Sequence, residues 1–190
     1  MATLVIVLRI VPLLVFVGAM SLAVARRREG PAARGSRSRS DRAPLVANIA
    51  AAGVYVASLL VFRSSAGSTP LLLACSGSVL ALGGTALVVR SRTELGPAWS
   101  LVPKADEGTE LVTTGPYRLV RHPIYLGLAL VAMGEALAFG SWPAVLIVIC
   151  GIVPTFAWRA RAEERLLARA FGERHAAYRQ RSKLIIPYVL

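Results

Sequence analysis

Three observations predict an all-α integral membrane protein. Long apolar runs fill most of the chain, arginine-rich segments separate them, and 55% of the 190 residues are hydrophobic although only 7% are aromatic. The mean hydropathy is +0.60 and the formal net charge is +12. A soluble domain of this size is rarely so apolar. The charge sits between the apolar runs, so it reads as membrane topology rather than as a nucleic-acid surface.

The first run, 2–25, is long enough to cross about 30 Å of hydrocarbon. No basic segment precedes it, so it is expected to be a retained helix rather than a cleaved signal peptide. Arg9 lies inside it and is expected to snorkel to the nearer interface. Residues 26–42 form a polar loop with seven arginines and no apolar period. The second and third spans are expected at 44–62 and 70–89. Both are rich in Ala, Gly and Ser, which allow close helix packing in lipid. Gly77, Gly83 and Gly84 read as packing residues, because no Lys-Ser or Lys-Thr of a phosphate loop follows. Residues 90–114 are polar, and 99–102 with 110–112 are expected to pair as a short ribbon.

The chain is organised around Gly115-Pro116-Tyr117-Arg118-Leu119-Val120-Arg121-His122-Pro123-Ile124-Tyr125-Leu126-Gly127. Gly-Pro punctuates the preceding segment. Pro123 suits the first position of a helix, where its missing N–H costs nothing. Arg118, Arg121 and His122 then gather at the mouth of the fourth span, 123–139, where a helix N-terminus attracts anions. Gly140-Ser141 makes a tight turn into the fifth span, 142–158, bracketed by Trp142 and Trp158 as interfacial anchors. The short connection makes these two spans an antiparallel hairpin. From Arg159 an amphipathic helix is expected, with Leu166, Leu167, Ala170 and Phe171 on its apolar side, a stop near Gly172 and a resumption to Tyr178. The apolar tail 184–190 is too short to cross and is expected to dock on the domain or the membrane surface.

Twenty of the twenty-two basic residues fall in the first loop, the third-to-fourth loop and the tail; only Arg9 and Arg63 do not. The positive-inside rule makes that side cytoplasmic and, with five spans, puts the N-terminus outside. The expected architecture is therefore five transmembrane helices (1–114 holding the N-terminal helices and loops) and a cytoplasmic catalytic region, 115–190, built on the last hairpin and the C-terminal helix. The arginine-rich, alanine-rich composition suggests a bacterial inner membrane. The hairpin brings Tyr117, Arg118, Arg121, His122 and Tyr125 towards Arg161, Glu163, Glu164 and Tyr178.

Two histidines 53 residues apart, with Cys75 and Cys150 both in apolar runs, make no zinc site and no disulfide framework. No Gly-x-Ser-x-Gly elbow and no Rossmann glycine pattern is present. What remains is a set of cations and aromatics beside two carboxylates at a membrane interface, which suits a zwitterionic cofactor with hydroxyl groups. Taken alone, Glu163 also reads as an i,i+4 partner of Arg159 on a solvated helix.

The 115–127 stretch, followed by Glu163-Glu164, Phe171-Gly172 and Tyr178, resembles the isoprenylcysteine carboxyl methyltransferase family, relatives of the membrane phospholipid N-methyltransferases. The resemblance covers roughly 95–187 and includes Leu95-Gly96 and Trp99-Ser100. It implies a membrane enzyme that uses S-adenosyl-L-methionine on a lipophilic acceptor, with no nucleic acid involved. By that resemblance the cofactor contacts are Tyr117, Arg118, His122, Tyr125, Leu126, Gly127, Glu163 and Glu164, and the catalytic set is Arg121, His122 and Glu163. Two positions depart from the family pattern. His175 stands where a tyrosine is usual. Leu184 stands where prenylcysteine-methylating members carry an arginine, so it is expected to select the acceptor and to disfavour a prenylcysteine carboxylate. The alternatives are a phospholipid N-methyltransferase, an NADPH-dependent reductase of the sterol-reductase type, which shares an Arg-His-Pro-x-Tyr-like stretch, and a non-catalytic membrane protein that kept the fold.

Overall fold

The computed structural model describes residues 1–25, 43–62, 68–96 and 111–186. Every long element among them is a helix: α1 (Ala2–Ala25), α2 (Ala43–Val61), α3 (Leu71–Leu95), α4 (Pro123–Ala138), α5 (Trp142–Ile147) and α6 (Val153–Arg181). A π-helical turn, Val148–Ile152, joins α5 to α6 without a break, and a short 3-10 helix, Gly115–Arg118, precedes α4. The arginine-rich first loop and most of the expected ribbon fall outside the described residues.

Among the described residues, three stretches are long and apolar enough to cross a membrane: Ala2–Leu22, Leu71–Leu95 and Trp142–Arg181. Val46–Val61 and Pro123–Ala138 are apolar but shorter. Large aliphatic side chains such as Ile49, Leu60, Leu72 and Val79 point outward. That is stable only where the surroundings are hydrocarbon, so the protein is an integral membrane protein.

Backbone contact between α3 and α4 forms the centre of the bundle. A Cβ added to Gly77 would stand 2.5 Å from the carbonyl oxygen of Gly134, and one added to Gly84 would stand 2.6 Å from that of Gly127. Gly77 and Gly84 therefore do pack helices, as their composition predicts. Gly83 faces open space instead. On the other side of the bundle, Tyr55 of α2 packs on Ala136, Ala144, Val148 and Ile152, and its hydroxyl donates to the carbonyl of Ala132 at 2.6 Å.

Arg9 is buried at the level where α4 ends and α3 begins. It is 6% exposed; its Nε donates to the carbonyl of Ala138 at 2.9 Å, its Nη2 reaches Thr69 Oγ1 at 2.5 Å, and its guanidinium lies over the Phe139 ring. The carbonyls at the C-terminal end of α4 carry partial negative charge, so they attract the cation.

The hairpin turns at Gly140, with φ 63, and Ser141 caps the next helix by accepting from the N–H of Ala144. A second, less visible turn lies inside α6. Gly172 has φ 50 and ψ −121, a conformation essentially reserved for glycine. The chain changes direction there, and residues 173–181 return towards Glu164.

Candidate cofactor site

The site is assembled at the N-terminal end of α4. Gly115, with φ 57, opens the 3-10 turn, and Tyr117 is buried beneath it. Residues 119–122 then run beside the tail. The N–H of Lys183 donates to the carbonyl of Leu119 at 3.1 Å, Arg121 N–H donates to that of Lys183 at 2.8 Å, and His122 N–H donates to that of Leu184 at 2.9 Å. This is a parallel bridge between Val120 and Lys183. Residues 183–184 thus dock the start of the tail on the domain through the backbone and fix the main chain from which Arg121 and His122 project, while 187–190 lie outside the described residues.

Two neighbouring carboxylates on α6 receive these side chains. Arg121 Nε lies 3.0 Å from both oxygens of Glu164, and its Nη1 donates to the carbonyl of Ser182. His122 bridges the pair, with Nε2 3.3 Å from Glu164 and Nδ1 3.5 Å from Glu163. Tyr125 donates its hydroxyl to Glu163 at 2.5 Å, and Arg159 Nε reaches the same oxygen at 3.1 Å. Glu164 also meets His175 Nε2 at 3.4 Å and Arg179 Nε at 3.5 Å. The rings of His122, Tyr125 and Phe156 stack in sequence, with centroids 5.6 and 5.2 Å apart.

Burial disfavours the His122 imidazolium, yet the hydrogen bonds it donates to Glu163 and Glu164 outweigh it and raise the pKa above the ordinary histidine value. Burial likewise opposes ionisation of both glutamates. Hydrogen bonds with His122 dominate in the other direction, holding Glu163 below the usual carboxylate range and Glu164 down at about 2. At neutral pH both glutamates are therefore ionised within a hydrogen-bonded network.

Arg121, His122, Tyr125, Glu163 and Glu164 meet as the sequence predicts. Tyr117 and Tyr178 adjoin them, the Tyr178 hydroxyl donating to the Tyr117 carbonyl. Arg118 and Arg161 are exposed and stand outside the network. Gly127 faces α3, where a Cβ would meet Val88 and Gly84, so its place in the motif is explained by helix packing. Leu126 and Leu184 belong to an apolar cluster with Tyr125, Phe156, Ala157, Ala160 and Ile185. Leu184 also lines a cleft of about 550 Å³ whose walls include Arg121, Arg179, Arg181 and Lys183. Sequence reasoning missed Arg179 and Phe156 and treated His175 only as a departure. Arg159 was legible from its spacing to Glu163, but only as a surface pair. No group of His, Cys, Asp and Glu fit to hold a metal occurs among the described residues.

A bundle of apolar helices with a buried carboxylate, cation and aromatic cluster at the helix ends defines an integral membrane protein with a polar centre. Residues 72–174 match the family described as Phospholipid methyltransferase, and the chain belongs to that family. It is 33% identical over 86 residues to a protein-S-isoprenylcysteine O-methyltransferase of Schizosaccharomyces pombe, a match covering 45% of this chain and 36% of the relative. It is 29% identical over 86 residues to protein-S-isoprenylcysteine O-methyltransferase B of Arabidopsis thaliana, covering 45% of this chain and 44% of that one. The matches thus span less than half the length of either curated relative. The fold is similar to the solved eukaryotic intramembrane isoprenylcysteine carboxyl methyltransferase, with TM-score 0.59 and 18% identity over 99% of this chain and 74% of that one.

Proposed function

We propose that the protein is an S-adenosylmethionine-dependent membrane methyltransferase acting on a lipophilic acceptor, with residues 115–190 forming its catalytic region. The observation that carries this reading is the convergence of Arg121, His122 and Tyr125 with Glu163 and Glu164, about forty residues apart in sequence, on one end of the α4–α5 hairpin. The family match and both curated relatives favour methyl transfer over a nicotinamide-dependent reductase.

The side chains suit this cofactor. Its amino-acid end, sulfonium and ribose hydroxyls call for groups of both signs and an aromatic face. The Tyr125 ring already carries the Arg159 guanidinium 5.9 Å from its centroid, so that face accepts a cation. S-adenosylmethionine, when bound, supplies an electrophilic methyl group. His122 and Tyr125 bind its amino-acid end. Glu163 is the carboxylate that meets its polar groups, because Tyr125 and Arg159 are partners it can exchange, whereas Glu164 is committed to Arg121, His122, His175 and Arg179. The protein's main work is to orient donor and acceptor for in-line displacement and to exclude water. A carboxylate or thiolate acceptor needs no base, whereas an ammonium acceptor must first release a proton.

The cleft beside Leu184 offers the acceptor its entry from the membrane interface. The distribution of basic residues supports five spans, a cytoplasmic site and an external N-terminus. Labelling of a cysteine introduced at Ser38 by an impermeant reagent in intact cells would reverse that orientation.

Calorimetry on detergent-solubilised protein tests the site. His122→Ala and Glu163→Ala should each weaken S-adenosylmethionine binding by about ten-fold to a hundred-fold, the worth of one charge-assisted hydrogen bond. Wild-type affinity in both variants would remove these residues from the cofactor site.

A further inference from the structure

Glu164 and His175 are eleven residues apart, which in a straight helix would put them about 16 Å apart along the axis. The side chains nevertheless meet at 3.4 Å, because the chain turns at Gly172. His175 is only 1% exposed, the most deeply buried charge-capable side chain in the region. Its Nε2 falls on Glu164 Oε1, the oxygen that also takes Arg121 Nε and His122 Nε2. A carboxylate oxygen with three nitrogen partners in a buried setting has little freedom to rotate.

We infer that His175 is a positioning residue, which fixes Glu164 and, through it, the Arg121 and His122 side chains in the arrangement that receives the methyl donor. The inference rests on the proposal that His122 contacts that donor. His175 itself touches neither donor nor acceptor; it acts by holding the carboxylate on which the other two converge. Arg179, at 3.5 Å from the second oxygen of Glu164, is more than half exposed and cannot replace a buried partner on the first. His175 thus supplies what an exposed cation does not, a contact made rigid by packing. The substitution that matters is therefore one that removes the donor and keeps the volume.

The test compares His175→Gln, which retains a side-chain N–H, with His175→Phe and His175→Met, which retain bulk but no donor. Each is made in the full chain, purified in detergent, and titrated with S-adenosylhomocysteine. We expect His175→Gln to bind within about threefold of wild type and the donor-less variants about tenfold more weakly, the loss of one hydrogen bond to a charged group. In the methyl-transfer assay the defect should appear in KM for the donor, with kcat little changed. Adding His175→Phe to a Glu164→Gln background should cause no further loss, because residues acting through one another are not additive. Wild-type affinity in folded His175→Phe or His175→Met, or full additivity with Glu164→Gln, would overturn the inference. So would failure of both donor-less variants to fold, which would make His175 a purely structural residue. If wild type bound no S-adenosylhomocysteine, or His122→Ala bound it normally, the cofactor reading would fall first and separately.

Discussion

The hydroxyl of Tyr178 donates to the main-chain carbonyl of Tyr117 at 2.6 Å, tying the end of the last helix to the turn before α4 across 61 residues. Both tyrosines are buried. Ser182 closes the same corner by donating its hydroxyl to the carbonyl of Tyr178 at 2.7 Å. Removing the phenol leaves a buried carbonyl without its partner. Tyr178→Phe should therefore destabilise the protein by about 1–3 kcal/mol, read as a lower midpoint in a detergent thermal melt. An unchanged midpoint would mean that water replaces the hydroxyl there.

Gly172 should tolerate no side chain, and for a reason confined to its own backbone. A Cβ there would meet nothing within 4 Å, but φ 50 with ψ −121 is strained for any L side chain. Gly172→Ala should cost about 1–3 kcal/mol of stability and, by pulling residues 173–181 out of place, weaken donor binding as His175→Phe does. Gly83→Ala, in an open helical position, is the matched control and should change neither. Equal behaviour of the two variants would argue that α6 can straighten without consequence.

Stability should depend on pH in a direction set by His122. Its pKa is raised above the unfolded value of 6.5, so it binds its proton more tightly when folded. That contribution is complete below the unfolded value and is lost as the pH rises through the folded one. Glu164, lowered from 4.5 to about 2, contributes above the ordinary carboxylate range and loses its share only on acidification. Melting temperature should therefore decline as the pH rises above about 6.5, and His122→Gln should flatten that decline. A profile identical in wild type and His122→Gln would place the pH dependence elsewhere.

Leu184 should shape the choice of acceptor. It packs among Tyr125, Phe156 and Ala157 beside the cleft and brings no charge to it. Lysine at 183 lacks the bidentate fork that suits a carboxylate. Wild-type protein should form little ester on N-acetyl-farnesylcysteine compared with amine, thiol or phenol amphiphiles, and Leu184→Arg should increase it. Robust, saturable esterification by wild type would instead assign the carboxylate to Arg181 and Lys183, which line the same cleft.

The five apolar segments and the hairpin were legible because hydrocarbon length and Gly, Pro and Trp punctuation are local properties of sequence. The meeting of His122 with Glu163 and Glu164 was legible because the short Gly140-Ser141 connection leaves few alternatives. The partners of Glu164 were harder to read. His175 and Arg179 reach it only through the reversal at Gly172, and a glycine in a helical pattern signals a stop without giving the direction of the chain beyond it. The partners of Arg9 were hidden for a related reason: they include a main-chain carbonyl at the end of a distant helix, and carbonyls leave no trace in residue identity. Gly127 shows the converse, a residue inside a functional motif whose own role is to let α3 and α4 touch.

The capping of α4 by Arg9 bears on how the protein is made. The acceptor carbonyl of Ala138 lies 129 residues downstream of Arg9. A chain that emerges from its N-terminus commits α1 to the bilayer while this charge has nothing on α4 to bind, and an unpaired arginine in hydrocarbon is costly. Early in synthesis α1 must therefore stay near an aqueous edge or against the insertion machinery, and it settles at its final depth only after α4 has arrived. Helix α1 precedes α4 in synthesis and follows it in seating.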